Sequence, residues 1–212
     1  MNLGYACINT ALSANKITTN RTMRRKTFDA KGLDYVSDLA LANTKDLKTY
    51  IQWNNEMGIK LFRLSSQIFP WSDEYNVKDL KDYDEIASTM LEIGKIATDA
   101  GQRLTMHPGP YNCLASPTKK VVEKTIRELN FHSEQFNMMG FEPSPYNKIN
   151  IHVGGAYGDK KGTLEAFCHN FKLLNEDTKK RLVIENDDSP NEYSVNDLYE
   201  GIYKQIGIPI VW

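Results

Sequence analysis

The run RLTMH (103–107) is a short, mostly apolar stretch that ends on a histidine and is followed by a proline and a glycine. The same pattern returns in KINIH (148–152) and in RLVIE (181–185), each followed by loop-forming residues. Short apolar runs bounded by loop residues indicate buried strands. If these strands are parallel neighbours, the polar residues that end them meet at one edge of the sheet. The pattern therefore predicts one shared site made by His107, His152 and Glu185.

The rest of the chain continues this alternation of short strands and helices. Strands are predicted at 2–7, 60–64, 103–107, 149–153, 182–185 and 208–212, with helices at 46–57, 83–100, from 117, 164–174 and 194–207, and a long polar loop at 9–28. Such alternation favours a parallel sheet covered by helices. No GxGxxG motif follows the first strand and no phosphate-binding P-loop motif occurs, so no nucleotide cofactor is expected. We predict an α/β fold, a TIM (β/α)8-type barrel that is incomplete, with about six strands.

Length and composition set the remaining expectations. The 212 residues predict a single barrel domain, 1–212, that lacks the last two βα units, and open strand edges would allow self-association. The net charge of -1 favours no class of partner. Three cysteines without a CxxC pair indicate neither a disulfide framework nor a zinc ribbon, so an intracellular location (cytoplasm, nucleoid or nucleus) is expected. No apolar run reaches the ~18 residues of a membrane helix, so no membrane partner is expected.

The proposed site residues suit a metal ion. Imidazole and carboxylate groups bind zinc, manganese or iron, and a catalytic site leaves positions open for water or substrate. The alternative is that His107, His152 and Glu185 are ordinary polar groups at the core edge or at helix caps. For Asp187 and Asp188 we expect capping or solvation rather than a contact that supports the site.

Several other residues could contact phosphates or bases. The stretch 20–27 holds the one dense basic cluster, with Asn20, Arg21, Arg24 and Arg25, although a solvated face would look the same. Ser65 and Ser66 leave the second strand and offer a weaker phosphate contact. Aromatic rings at Tyr5, Trp71 and Tyr111 could stack on bases, and Tyr5 could equally pack in the core.

Seven motifs occur in one order along the whole chain, and together they are specific. They are LGY (3–5) with Asn9, NRT (20–22), FRLSS (62–66) with Phe69-Pro70, HPG (107–109) with Tyr111, NIHVGG (150–155), LVIEND (182–187) and PIVW (209–212). In these motifs the chain resembles the UV-damage endonucleases of the UVDE/UvsE type.

The resemblance implies a TIM-barrel, metal-dependent nuclease that cuts damaged double-stranded DNA 5′ to UV photoproducts and so starts excision repair. It implies a multinuclear Mn²⁺ cluster with His107, His152 and Glu185 among its ligands. Tyr5, Asn9 and Tyr111 would touch the lesion or the strand opposite it.

The chain departs from the family pattern at two places. Pro110 stands where the family usually has a glutamine that probes the duplex. The family also continues beyond the sixth strand with an Asp-x-His pair, a lysine, a histidine and a glutamate, which implies that this chain is a C-terminally truncated member.

Two other functions fit the same residues. One is a sugar-phosphate isomerase or epimerase on a related metal barrel, which would share the histidine and glutamate ligands. The other is a non-catalytic module that binds damaged DNA. Binding of DNA that weakens as salt rises separates the nuclease from the isomerase.

Overall fold

The computed structural model describes residues 2–189 and 191–212, and six short strands occur among them. They are β1 (Gly4–Ala6), β2 (Leu61–Leu64), β3 (Arg103–Met106), β4 (Ile149–Ile151), β5 (Leu182–Glu185) and β6 (Ile210–Val211). Each strand lies inside its predicted range, so the six predicted strands are confirmed.

Helices connect the strands. They are α1 (Thr10–Ser13), α2 (Arg25–Glu56), α3 (Tyr83–Asp99), α4 (Lys119–Met138), α5 (Lys160–Phe171), α6 (Glu176–Arg181), α7 (Val195–Leu198) and α8 (Lys204–Ile206). A π-helical turn, Tyr199–Tyr203, joins α7 to α8, and short 3-10 turns lie at Val77–Asp79 and Pro145–Asn147. The alternation of strands and helices is that of an α/β fold.

The chain divides into two compact units. The first comprises the described residues up to 106 together with 134–142, and the second comprises 107–133 together with 143–212. In the first unit β1, β2 and β3 are parallel and follow chain order, with Phe62 paired to Tyr5 on one side and to Leu104 on the other. Phe62 and Leu104 are fully buried, and α2 and α3 pack together in this unit.

The second unit holds β4, β5 and β6, which are also parallel and in chain order. Ile184 of β5 pairs with Ile151 of β4 and with Ile210 of β6, and Ile184 is fully buried. Because the strands run the same way, the loops that follow β4 and β5 leave at the same edge. This edge positions the candidate site.

The prediction for residues 9–28 and for the first long helix was wrong. The segment contains α1, capped by Asn9, whose side chain accepts a hydrogen bond from the Leu12 amide. Helix α2 starts at Arg25 and is broken by the left-handed backbone of Gly32 (φ 61°), so both its parts begin before the predicted start at 46. The buried face of α2 includes Ser37, Asn43 and Thr44. Since these side chains are polar, the apolar period that marks a helix is weak there.

Side-chain hydrogen bonds and a left-handed glycine lie at the ends of other helices. Helix α4 starts at Lys119 rather than at the predicted 117, and Ser116 Oγ accepts a hydrogen bond from the Thr118 amide in the turn before the helix. The predicted cap at Ser194 is confirmed, with Ser194 and Asp197 bonded in both directions. The chain leaves α8 at Gly207, whose φ of 68° is left-handed, as expected at a helix end.

The single-domain boundary 1–212 stays a prediction. None of the helices that the structure describes combines the length and apolar character needed to cross a membrane.

Candidate metal centre

Three side chains converge in the second unit, at the positions where the sequence placed them. His107 follows β3, His152 lies just beyond β4, and Glu185 ends β5. One ligand atom from each residue lies within 4.8 Å of the other two. Glu185 Oε2 is 3.4 Å from His107 Nε2 and 3.7 Å from His152 Nε2. Among residues 2–189 and 191–212, this group of three has the composition and spacing to hold a metal ion.

Each imidazole ring has an oxygen beside its other nitrogen. His107 Nδ1 lies 3.0 Å from the carbonyl oxygen of Pro108, which can only accept, so this Nδ1 carries the hydrogen and the lone pair is on Nε2, the atom that faces Glu185. His152 Nδ1 lies 3.1 Å from Asp187 Oδ1 without the alignment of a hydrogen bond, and its Nε2 also faces Glu185. An oxygen beside the ring nitrogen that does not bind the metal is common among histidines that ligate metals.

The carboxylate of Glu185 is also oriented by a neighbour. Asn150, on the adjacent strand β4, donates a hydrogen bond from Nδ2 to Glu185 Oε2. His107 and Glu185 therefore have hydrogen-bond partners that fix their direction, and His152 has the Asp187 carboxylate beside it. The donor set of two imidazoles and one carboxylate fits a divalent transition metal.

Asp187 belongs to the site, contrary to the expectation that it would cap a helix or face solvent. Its side chain is 12% exposed and contacts His152, whereas the cap of α7 is Ser194. Burial raises the pKa of Asp187, and the neighbouring His152 partly opposes the rise. The available signal was its position two residues beyond Glu185, in the loop that leaves the same strand.

The two candidate histidine ligands and Asp187 border an open cavity of about 320 Å³. The other lining residues are Ile151 at the end of β4 and, from the loops after β3, β4 and β5, Pro108, Gly109, Pro110, Asn112, Gly154, Gly155 and Glu192. The cavity leaves room beside the candidate ligands for water and for part of a substrate.

Tyr111 lies on the loop that follows His107. Its side chain is 89% exposed, so the ring stands free at the surface of the second unit. Such a ring can contact a partner without any change in the core.

Tyr5 and Asn9, the other predicted lesion contacts, lie in the first unit and bond to each other. Tyr5 donates its hydroxyl hydrogen to Asn54 Oδ1 at 2.8 Å and accepts from Asn9 Nδ2 at 3.0 Å. Its ring packs against Phe62, and burial raises the pKa of Tyr5. Tyr5 is part-buried and Asn9 is buried as the cap of α1. These bonds explain their positions without any ligand, and contact with DNA stays a prediction.

The basic cluster is mostly paired. Arg21 Nη2 lies 2.6 Å from Asp46 Oδ2, and Arg25 pairs with Asp29 and with Glu74. Arg24 is exposed immediately before α2, and Asn20 is exposed and accepts a hydrogen bond from Thr18 Oγ1.

The two serines after β2 differ in exposure. Ser65 is buried and its Oγ accepts a hydrogen bond from the Gln67 amide at 3.1 Å, which accounts for it as a turn residue. Ser66 is part-exposed. A phosphate contact by either serine stays a prediction.

The family model of the UV-endonuclease UvdE matches residues 1–212. The chain belongs to the UvdE family. The UV-damage endonuclease of Schizosaccharomyces pombe is 38% identical over 214 residues, which cover 99% of this chain and 35% of that protein. This UvdE-family chain spans between 35% and 62% of the length of the first four curated relatives that it matches.

Solved structures give the fold. The crystal structure of SacUVDE matches with a TM-score of 0.86 and 30% identity, covering all of this chain and 68% of that one. Endonuclease IV from Thermus thermophilus matches with a TM-score of 0.51 and 12% identity over 77% of this chain and 56% of that one, a likeness of fold alone. Both neighbours are TIM-barrel proteins, so the predicted fold class is confirmed.

Proposed function

We propose that this UvdE-family chain is a metal-dependent DNA repair endonuclease that cuts the backbone of UV-damaged double-stranded DNA 5′ to the lesion. The observation that carries the proposal is the convergence of His107, His152 and Glu185, with both Nε2 atoms turned towards the carboxylate. The family match over the whole chain supports the substrate. An isomerase or epimerase would share the ligands but not the family.

The metal that we propose is Mn²⁺, held by His107, His152 and Glu185, as part of a multinuclear centre. A divalent cation at this place supplies Lewis-acid polarisation of a phosphoryl oxygen and neutralises charge that develops on the phosphate. Nitrogen and carboxylate donors suit manganese as well as zinc and iron, and the family resemblance favours manganese.

The protein's own groups prepare the ligands. The Pro108 carbonyl keeps the hydrogen of His107 on Nδ1, so that Nε2 stays free to ligate, and the Asp187 carboxylate lies 3.1 Å from His152 Nδ1, where it favours the same arrangement. Asn150 holds Glu185 in place. Because these partners are already bonded, the site needs little reorganisation when a cation and a phosphate arrive.

The contacts with DNA that we propose are made by residues other than the three candidate metal ligands. We propose that the exposed ring of Tyr111 tests the duplex near the cavity, and that Arg24 and Asn20 contact phosphates. Damaged base steps deform at lower cost, so a probing ring selects them by flexibility. Pro110 offers no side-chain hydrogen bond, so Tyr111 carries this probing function in its loop. Roles at the lesion for Tyr5 and Asn9, and at phosphates for Arg21, Arg25, Ser65 and Ser66, belong to the same proposal.

The test is incision of an end-labelled duplex that carries one photoproduct, with Mn²⁺ present. We expect the chain to nick the irradiated strand 5′ to the lesion and to leave the unirradiated duplex intact. The His107→Ala variant should lose incision while its thermal unfolding is unchanged. His169→Ala is the matched control, because His169 is exposed on α5. Absence of incision, or incision retained in His107→Ala, would contradict the proposal. Binding of the lesion without any cut would instead assign the non-catalytic alternative.

We also propose that the protein acts inside the cell, in the compartment that holds its DNA.

We further propose that the chain self-associates through the edges of β1 and β6, because unpaired strand edges pair readily. The sedimentation velocity of the purified chain at several concentrations tests the association.

A further inference from the structure

The loop that carries Tyr111 is tied to a partly buried carboxylate. Asn112, which ends this loop and lines the cavity, donates from Nδ2 to Glu128 Oε1 at 2.8 Å. The same Nδ2 donates to the Gly109 carbonyl at 3.2 Å, and the Asn112 amide donates to that carbonyl at 3.1 Å. Asn112 therefore closes the loop on itself and joins it to helix α4.

Glu128 has an unusual position for a charged residue. Its side chain is 18% exposed on α4, and Oε1 lies 3.5 Å from Nε2 of the fully buried His132, one turn further along. Burial alone would raise the pKa of Glu128, but its contacts with His132 and Asn112 outweigh burial, and the pKa lies below its ordinary value. A carboxylate at this depth stays charged only where such partners stabilise it.

A second contact from α4 reaches the same segment. The Cys113 amide donates to Thr125 Oγ1 at 3.0 Å, and Thr125 is buried. Thr125, Glu128 and His132 are spaced by three and four residues, so they share one face of the helix. A buried helix face normally carries apolar side chains. Here it carries a polar stripe, and Thr125 and Glu128 in that stripe bond to consecutive residues, Cys113 and Asn112.

We propose that Glu128 is a positioning residue that acts through Asn112 to hold the loop of residues 108–112 and its exposed Tyr111 in one conformation. The proposal rests on the proposed function for its consequence, because an ordered loop presents the ring to the duplex without first losing conformational freedom. The contacts of Glu128 are with Asn112 and His132, neither of which is a candidate metal ligand.

The first arm of the test is hydrogen exchange of the backbone amides without DNA. In Glu128→Ala we expect exchange at the backbone amides of residues 109–113 (all but Pro110, which has none) to rise about tenfold or more, with the rest of the chain unchanged. Glu128→Gln keeps an acceptor oxygen and should restore protection. Glu123→Ala is the matched control, because Glu123 lies on the same helix, is exposed and pairs with Lys119. Unchanged exchange of the loop in Glu128→Ala would overturn the proposal.

The second arm is incision of the irradiated duplex. Glu128→Ala should lower kcat/KM about tenfold while Mn²⁺ affinity is unchanged, and Glu128→Gln should recover most of the rate. If the loop exchanges faster in Glu128→Ala but incision is as fast as in the parent chain, the order of the loop does not contribute to incision, and this part of the proposal is overturned. If the parent chain does not incise, the proposed function fails, and the exchange arm still decides whether Glu128 holds the loop.

A second variant, at Asn112, removes the same hydrogen bond and shows whether the effect of Glu128→Ala comes from misfolding of helix α4. Asn112→Ala removes the same contact from the loop and leaves Glu128 beside His132. It should reproduce the faster exchange of residues 109–113, and combining it with Glu128→Ala should add little. Additive effects of the two substitutions would contradict a shared contact.

Discussion

At the scale of single residues, the candidate centre depends on which nitrogen of each histidine carries hydrogen. Both Nδ1 atoms face an acceptor oxygen, from Pro108 and from Asp187. The two acceptors differ in kind, since one is a backbone carbonyl and the other a carboxylate. Only the carboxylate belongs to a side chain that can be substituted. A variant of Asp187 therefore tests whether this carboxylate supports His152 as a metal ligand.

Asp187→Ala should weaken Mn²⁺ binding about 10- to 100-fold, because His152 loses the acceptor that orients its ring. Titration calorimetry with Mn²⁺ measures the change. Asp188→Ala is the control, since Asp188 is the exposed neighbour of Asp187. Equal affinities of the two variants would show that Asp187 has no part in the centre.

At the scale of elements, the loops after the strands are packed against each other within the second unit. Gly154, in the loop after β4, has a φ of 99°, and a Cβ there would lie 2.5 Å from Cys113 Sγ. Cys113 Sγ also donates to the Val153 carbonyl at 3.3 Å. The loops after β3 and β4 therefore approach each other at a point where only glycine fits.

Gly154→Ala should destabilise the protein by about 3 kcal/mol, from backbone strain together with the clash at Cys113. Gly158→Ala should cost only about 1 kcal/mol, because Gly158 has a φ of 80° but nothing within 4 Å of the added Cβ. Urea unfolding measures both. Adding Cys113→Ala to Gly154→Ala should recover part of the loss, and a strictly additive double variant would contradict the clash.

Helix α3 contains a second close approach, in the first unit. A Cβ on Gly94 would lie 1.8 Å from the carbonyl oxygen of Met139. Gly94→Ala should therefore destabilise the protein by about 2 kcal/mol or more, although glycine to alanine normally stabilises a helix interior by about 1 kcal/mol. Ser88→Ala, at an exposed position of the same helix, should be neutral or slightly stabilising in thermal unfolding. A stabilised Gly94→Ala variant would show that the two backbones do not meet.

The sequence predicts an element well when the residues of that element themselves carry an apolar pattern. The strands β3, β4 and β5 are apolar runs with loop residues after them, so both their positions and the meeting of His107, His152 and Glu185 were predictable. The start of α2 was not, because its buried face uses Ser37 and Asn43. Contacts such as Asn112 with Glu128 or His152 with Asp187 join residues whose proximity depends on the folded loops, and no local pattern marks them.

At the scale of the whole molecule, the partly buried carboxylate of Glu128 makes stability depend on pH. Its pKa is lowered in the folded protein by His132, Asn112 and Lys124, against the opposing effect of burial. A lowered pKa means that folding favours the charged form. This contribution is present in full above about pH 4.3, the ordinary value for glutamate, and is lost as the pH falls towards the folded-state pKa.

Urea unfolding of the parent chain and of Glu128→Gln between pH 3 and pH 7 tests this sign. The parent should be the more stable of the two at neutral pH, and the difference should shrink as the pH falls below about 4.3. A difference that stays constant or grows in acid would contradict the assigned direction.

The fold and the family are those of TIM-barrel UV-endonucleases, and the central claim is that two histidines and a glutamate of this chain hold a divalent cation. The most direct measurement is an anomalous difference map from a crystal of this chain soaked in Mn²⁺. We predict a peak about 2.2 Å from His107 Nε2, His152 Nε2 and a carboxylate oxygen of Glu185. A map with no peak between these three side chains, at saturating Mn²⁺, would contradict the account.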